Sequence, residues 1–307
     1  MSGVNNPLRE RRSGAAGGSA TGLRQGLPRS IETFHYRLPV RTRRVDPGAH
    51  PGTQRGGGME FRGHATLLAA PDPRRFDIAA SLRDPFHQVM MRVYTQRGAV
   101  PVRVLADVSA SMGFAGRCRK MDLLADFIES LALSAYRSGD PLAFTGCDSE
   151  IREDLALPLT RSRAAGTLVT AKLRNLEPSG RSALGLIKAV EQMPPSRSLV
   201  FLISDFHFPM DMLGKLLADL ALHTVVPVVL WDSAEGVAPR FGIARVVDPE
   251  TGVERMLLLR PALARRLQKS VAARARARTD CCARFGLKPL ILQDRFEADA
   301  VTRYFFG

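Results

Sequence analysis

No apolar run in this 307-residue chain approaches the roughly 20 residues a membrane-crossing helix needs. Its start, MSGVNNPLRERRSG, lacks the apolar centre of a secretory leader. The expectation is a cytoplasmic protein with no membrane span. Four cysteines, Cys118, Cys147, Cys281 and Cys282, show no Cys-Xaa-Xaa-Cys spacing, which argues against structural zinc and a disulfide framework. There is no Gly-Lys-Ser/Thr phosphate loop, no His-Glu-Xaa-Xaa-His and no Gly-Xaa-Ser-Xaa-Gly elbow. The chain is therefore expected not to be an enzyme.

What is present centres on the run VPVRVLADV, whose end reads Asp107-Val108-Ser109-Ala110-Ser111. Such a run suits a buried strand of a parallel sheet, and the amphipathic stretch from Lys120 to Arg137 suits the following helix. Asp107, Ser109 and Ser111 then fall at the strand's carboxyl end, where open α/β sheets bind ligands. Two hydroxyls two residues apart offer neutral oxygens on one side of a loop, and Asp107 adds charge. That is a hard-oxygen set of the kind Mg²⁺ or Mn²⁺ accepts. Because the helix start beyond the loop is partially positive, at least one carboxylate is required.

A second run, SLVFLISDF, also ends in an aspartate, placing Asp205 at the same sheet edge as Asp107. Ser182, at a helix start just after a Pro-Ser-Gly-Arg turn, is expected to supply a third neutral ligand in preference to Thr167, which falls in or near a helical run. Asp and Ser before a helix are also ordinary N-caps; the conjunction of strand, Ser182 and Asp205 favours the site. A haloacid-dehalogenase-type phosphatase would need an acid where Ser109 stands. His207 is expected to be an ordinary packed or solvated loop residue.

These residues resemble the metal-ion-dependent adhesion site of von Willebrand factor A domains: Asp-Xaa-Ser-Xaa-Ser after one strand, a later loop Ser or Thr, and an Asp ending a later strand. Upstream, GGGMEF and PDPRRFDIAAS resemble the segments before that domain in the bacterial domain of unknown function 58 family, with Asp72, Arg74, Asp77, Ala80 and Ser81 matching. Ile78 stands where the family usually has tryptophan, and Thr95, Gln96 and Arg97 where it usually has acidic residues. The divergent module and the lack of membrane spans are similar to MxaS-type members found with methanol-oxidation genes and a MoxR-like AAA+ ATPase. The resemblance implies direct metal ligation by Ser109, Ser111 and Ser182, with Asp107 and Asp205 acting directly or through water. It also implies a partner that offers an acidic side chain, either a MoxR-like ATPase or its client, and an adaptor role in assembly such as methanol dehydrogenase maturation.

The pass along the chain gives three parts. Residues 1–58, rich in Gly, Ser, Pro and Arg, are expected to be disordered or loosely attached; 59–98 form a flanking module; 99–307 alternate strands and helices as a doubly wound, mostly parallel α/β sheet. A net charge of +14 invites an acidic protein partner or a nucleic acid. The arginines at 265, 266, 274, 276 and 278 fall on an expected helix at 261–285, with Arg274 and Arg278 on one side and Arg276 opposite. Few aromatics accompany them, which disfavours a single-strand-binding surface, so a basic nucleic-acid-binding module is the competing reading.

Overall fold

The structure, a computed structural model, describes residues 31–37, 47–236, 242–247, 254–259 and 261–307. The chain order is β1 (Pro47–Thr66), α1 (Ile78–Arg83), β2 (Met90–Gly98), β3 (Val102–Asp107), α2 (Lys120–Ser138), β4 (Leu142–Cys147), β5 (Ile151–Thr160), α3 (Arg163–Asn175), α4 (Gly185–Glu191) and β6 (Leu199–Ser204). It continues with α5 (Met210–Asp219), β7 (Thr224–Trp231), β8 (Gly242–Val247), β9 (Glu254–Leu259), α6 (Pro261–Arg284), β10 (Leu290–Gln293) and α7 (Ala298–Phe306). Short 3-10 turns lie at Ala110–Gly113 and Ser233–Gly236.

Six strands form one sheet in the order β10-β7-β6-β3-β4-β5, parallel except for β5, which returns antiparallel to β4 as an edge hairpin. Alternate side chains of each strand serve opposite faces, and both faces are covered. Val104, Ala106, Phe201 and Ile203 pack against α2, α3 and α7; Leu105, Val200 and Leu202 pack against α4, α5 and α6. Burial on two sides is why these strands read as continuous apolar runs rather than alternating ones. The winding reverses between β3 and β6, so the carboxyl ends of those neighbours flank the switch point of a doubly wound sheet.

GIARVV and ERMLLL pair antiparallel as β8 and β9, and residues 248–253 lie outside the described residues. The expected loose attachment of residues 1–58 needs correction where the structure describes them. Phe34 is 2% exposed and joins the core under α2, its ring 5.7 Å from Phe127. Its N–H donates to Ser134 Oγ at 3.1 Å, and Tyr36 Oη donates to Asp140 Oδ2 at 2.5 Å. Two aromatics in an arginine-rich stretch carry no periodicity, so the sequence gives no warning that they dock. The boundary at 58 also falls inside β1, which pairs antiparallel with β2; residues 1–30 and 38–46 lie outside the described residues.

In the flanking module, Asp77 caps α1. Its Oδ1 accepts from Ala80 N at 3.0 Å, while its Oδ2 lies 2.7 Å from Arg92 Nε and 3.0 Å from His64 Nε2. Ser81 Oγ donates to the Asp77 carbonyl at 2.7 Å and accepts from Met90 N at 2.8 Å, tying α1 to β2. These motif residues thus have structural employment. Ile78, at the position of the missing tryptophan, is 63% exposed.

Candidate functional site

Asp107, the last residue of β3, is buried at the switch point. Its Oδ1 accepts from Ser109 N at 2.9 Å and its Oδ2 from the hydroxyl of Ser204, the last residue of β6, at 2.7 Å. Burial and then the charge of Asp205 push its carboxyl up to about 6. Ser109 Oγ lies 3.3 Å from Ser111 Oγ, and Ser111 Oγ donates to Asp205 Oδ1 at 3.3 Å. The three oxygens form a row at the sheet edge. Phe206, buried and with φ +56°, takes the left-handed conformation that non-glycine residues rarely adopt. That bend brings His207 N back to Asp205 Oδ1 at 3.1 Å.

Four further groups complete the site: Lys120, Glu235, His207 and Asp232. Lys120, the first residue of α2, is fully buried, and its ammonium lies 2.8 Å from Asp205 Oδ2 and 3.3 Å from the Ser111 carbonyl. It also pairs with Glu235 Oε1 from the turn after β7. Burial alone would depress this amine, but Asp205 and Glu235 outweigh it and hold the ammonium above its ordinary range. Reciprocally, Asp205 is buried, yet Lys120 and His207 draw its carboxyl below the usual value. Contrary to expectation His207 belongs to the cluster, with Nε2 3.0 Å from Glu235 Oε2.

Asp232, at the end of β7, is buried and accepts backbone N–H groups of Gly116 at 2.8 Å, Arg117 at 2.9 Å, Cys118 at 3.2 Å and Ala234 at 2.8 Å. It anchors the loop that carries the chain from the Ser111 turn into α2. A sequence signal existed here, since VVLWD is a third apolar run ending in aspartate. Lys120 and Glu235 gave none. From α6, Arg274 donates to the carbonyls of His207 and Phe208, and Arg278 approaches the Asp205 carbonyl at 3.5 Å. The expected sidedness of the helix holds: Arg274 and Arg278 brace the 205–208 loop, while Arg276 faces outward.

Ser182 is not brought into the row. Its hydroxyl donates to Ser149 Oγ at 3.4 Å, although its loop adjoins the site through Ala110 N donating to the Gly180 carbonyl at 3.1 Å. Gly185 explains part of the placement, because a Cβ there would meet the Glu150 carbonyl oxygen at 2.3 Å and α4 starts tight against the β4–β5 turn. Thr167 sits exposed within α3.

The oxygens fit a small hard cation. Neighbouring ligands of an octahedral ion with 2.0–2.1 Å bonds stand about 3 Å apart, close to the 3.3 Å steps from Ser109 through Ser111 to Asp205. Asp107 adds charge from beneath.

The protein-family model described as "Protein of unknown function DUF58" matches residues 72–278. The chain belongs to this family. Its doubly wound sheet carries the Asp107–Ser111 motif at the switch point. Among relatives, the "uncharacterized protein in moxR 3′ region" of Paracoccus denitrificans is 40% identical over 99 residues, covering 32% of this chain and 94% of that protein. An uncharacterized protein of Mycobacterium tuberculosis is 24% identical over 250 residues, covering 80% of this chain and 78% of that one. Similar solved structures include BatB of Bacteroides thetaiotaomicron, with a TM-score of 0.39 and 12% identity over 67% of this chain and 96% of that chain. A von Willebrand factor type A protein of Catenulispora acidiphila has a TM-score of 0.35 and 12% identity, over 69% of this chain and 42% of that one. Among the described residues, no helix is long and apolar enough to cross a membrane.

Proposed function

We propose that this DUF58 member is a cytoplasmic, metal-ion-dependent protein-interaction module, a binder rather than a catalyst, working as an adaptor with a MoxR-like AAA+ ATPase or its client. The observation that carries the reading is the row of Ser109, Ser111 and Asp205 oxygens at the switch point, spaced as an octahedral ion would take them. Mg²⁺ or Mn²⁺ held by these residues, with Asp107 behind them, would supply an electrophilic position for a partner's carboxylate. The chain's own part is to keep the row in place: Ser204 and the Ser109 amide orient Asp107, and Asp232 and Arg274 hold the two loops. Ser182 enters as a ligand only if its loop turns from Ser149. The partner class rests on the Paracoccus relative, whose name places its gene 3′ of moxR; methanol dehydrogenase maturation is the specific client role implied by the likeness to MxaS-type members.

The test is capture of the cognate MoxR-type ATPase by the purified chain with Mg²⁺ and with EDTA. Binding is expected with Mg²⁺, and EDTA or Ser109→Ala should lower it at least about tenfold, the equivalent of one charge-assisted contact. Equal capture in EDTA would sink the metal dependence. Nucleic-acid binding is the opposing outcome, visible as DNA affinity falling steeply with salt. The inward commitment of Arg274 and Arg278 leaves less of the basic helix to support it.

A further inference from the structure

Lys120 stands where a metal ion would be at home. Ligand atoms of Asp205, His207 and Glu235 all lie within 4.8 Å of one another, two carboxylates and an imidazole drawn from the loop after β6 and the turn after β7. Such a set suits a divalent ion of the Mn²⁺ or Zn²⁺ kind. The ammonium of Lys120 already meets both of its carboxylates. It donates to Asp205 Oδ2 at 2.8 Å and to the Ser111 carbonyl at 3.3 Å, and it forms an ion pair with Glu235 Oε1. The side chain has no exposed surface. Among the described contacts, Arg278 from α6 reaches only the backbone carbonyl of Asp205, so Lys120 is the cation that meets both carboxylates.

We propose that Lys120 is a built-in cation plugging a three-ligand metal position formed by Asp205, His207 and Glu235, so that in the native chain this position is closed to divalent ions. Two consequences follow. The carboxylates stay assembled without metal, and an ion bound at the Ser109–Ser111 side meets a neighbouring positive charge that weakens its hold. The site is therefore metal-poor at rest and is loaded only when a further negative ligand, such as a partner's carboxylate, arrives. A simple structural ion pair would share the burial and the distances. It would not be replaceable by a metal ion.

That difference is the test. Lys120→Met removes the charge and keeps most of the volume, leaving two buried carboxylates facing each other. In EDTA the full-length variant is expected to melt about 10 °C below wild type, since stripping one partner from a buried pair is severe in a domain of this size. Saturating Mn²⁺ should restore at least half of that loss while moving wild type by less than about 2 °C. Mn²⁺ titrated by electron paramagnetic resonance should bind Lys120→Met at least about tenfold more tightly than wild type. Adding Glu235→Gln to Lys120→Met should abolish the recovery, and adding Ser109→Ala should not, which ties the ion to this position rather than to the serine row.

A Lys120→Met protein as stable as wild type in EDTA would overturn the proposal. So would one that stays unfolded or unstable in Mn²⁺, or a recovery that survives Glu235→Gln. The inference shares residues with the proposed function, but the two fail separately: EDTA-insensitive partner capture by wild type defeats the adhesion reading, whereas absent Mn²⁺ recovery in Lys120→Met defeats this one.

Discussion

Two regions of the molecule set an aspartate beside a basic side chain and a histidine, to opposite effect. In the flanking module Asp77 faces Arg92 and His64; at the sheet edge Asp205 faces Lys120 and has His207 two residues on. The Arg92 side chain is 50% exposed, so water shares its charge, and the Asp77 carboxylate mainly caps α1. Lys120 and Asp205 are both 0% exposed, so each is the other's solvent. The base differs, arginine in one trio and lysine in the other, and burial differs most. A surface pair is worth little and dissolves into solvent when broken, whereas a broken buried pair leaves a charge with nowhere to go.

The comparison breaks most directly at Asp205. Asp205→Ala strands the Lys120 ammonium with Glu235 alone and is expected to cost about 3–5 kcal/mol in chemical denaturation; a loss below about 1 kcal/mol would mean that the interior is wetter than the geometry implies. Asp232 sharpens the contrast, because it is buried like Asp205 but satisfied by amides rather than a cation. Asp232→Ala unties four N–H groups around the 116–118 loop and should cost about 2–3 kcal/mol, with the loop's amides exchanging hydrogen faster than those of β3.

Asp77→Ala should lower the melting temperature by only a few degrees, as loss of a cap does. Its carboxyl is held well below the usual carboxylate range, first by the hydrogen bond from Arg92 and then by that from Ala80. A depressed folded-state value stabilises at pH above the unfolded value near 4 and fades as pH falls through the folded one. The gap between wild type and Asp77→Asn should thus be flat from about pH 6 to 8 and narrow only below about pH 4. A gap that changed near neutrality would defeat this assignment. Smallest is Ser182→Ala, which removes one 3.4 Å hydrogen bond to Ser149 and should shift stability by less than about 0.5 kcal/mol. A large effect on Mn²⁺ binding would return Ser182 to the ligand set.

The doubly wound sheet was legible because its strands are buried on both faces and read as uninterrupted apolar runs ending in Asp107 and Asp205. The serine row followed from the same runs. Lys120 was hidden because a lysine opening an amphipathic helix ordinarily faces water; only the return of β6 beside β3, with β7 on its far side, supplies the carboxylates that bury it. Glu235 was hidden in a turn with no pattern of its own. Asp232 was overlooked although VVLWD repeats the signature used for the other two. Phe34 and Tyr36 show the limit from the other side: a short apolar segment can dock on a helix without periodicity to announce it.

The ion pair of Lys120 with Asp205 bridges 85 residues of chain, and Glu235 lies further on still. As the chain leaves the ribosome, Lys120 emerges long before its counter-ions, and it can enter the interior only after β6 and β7 have joined the sheet beside β3. Contacts this distant in sequence form late and slowly. Completion of the charge cluster thus waits on the docking of β6 and β7, and a partner that read the serine row would read, at the same time, whether those two strands are in place.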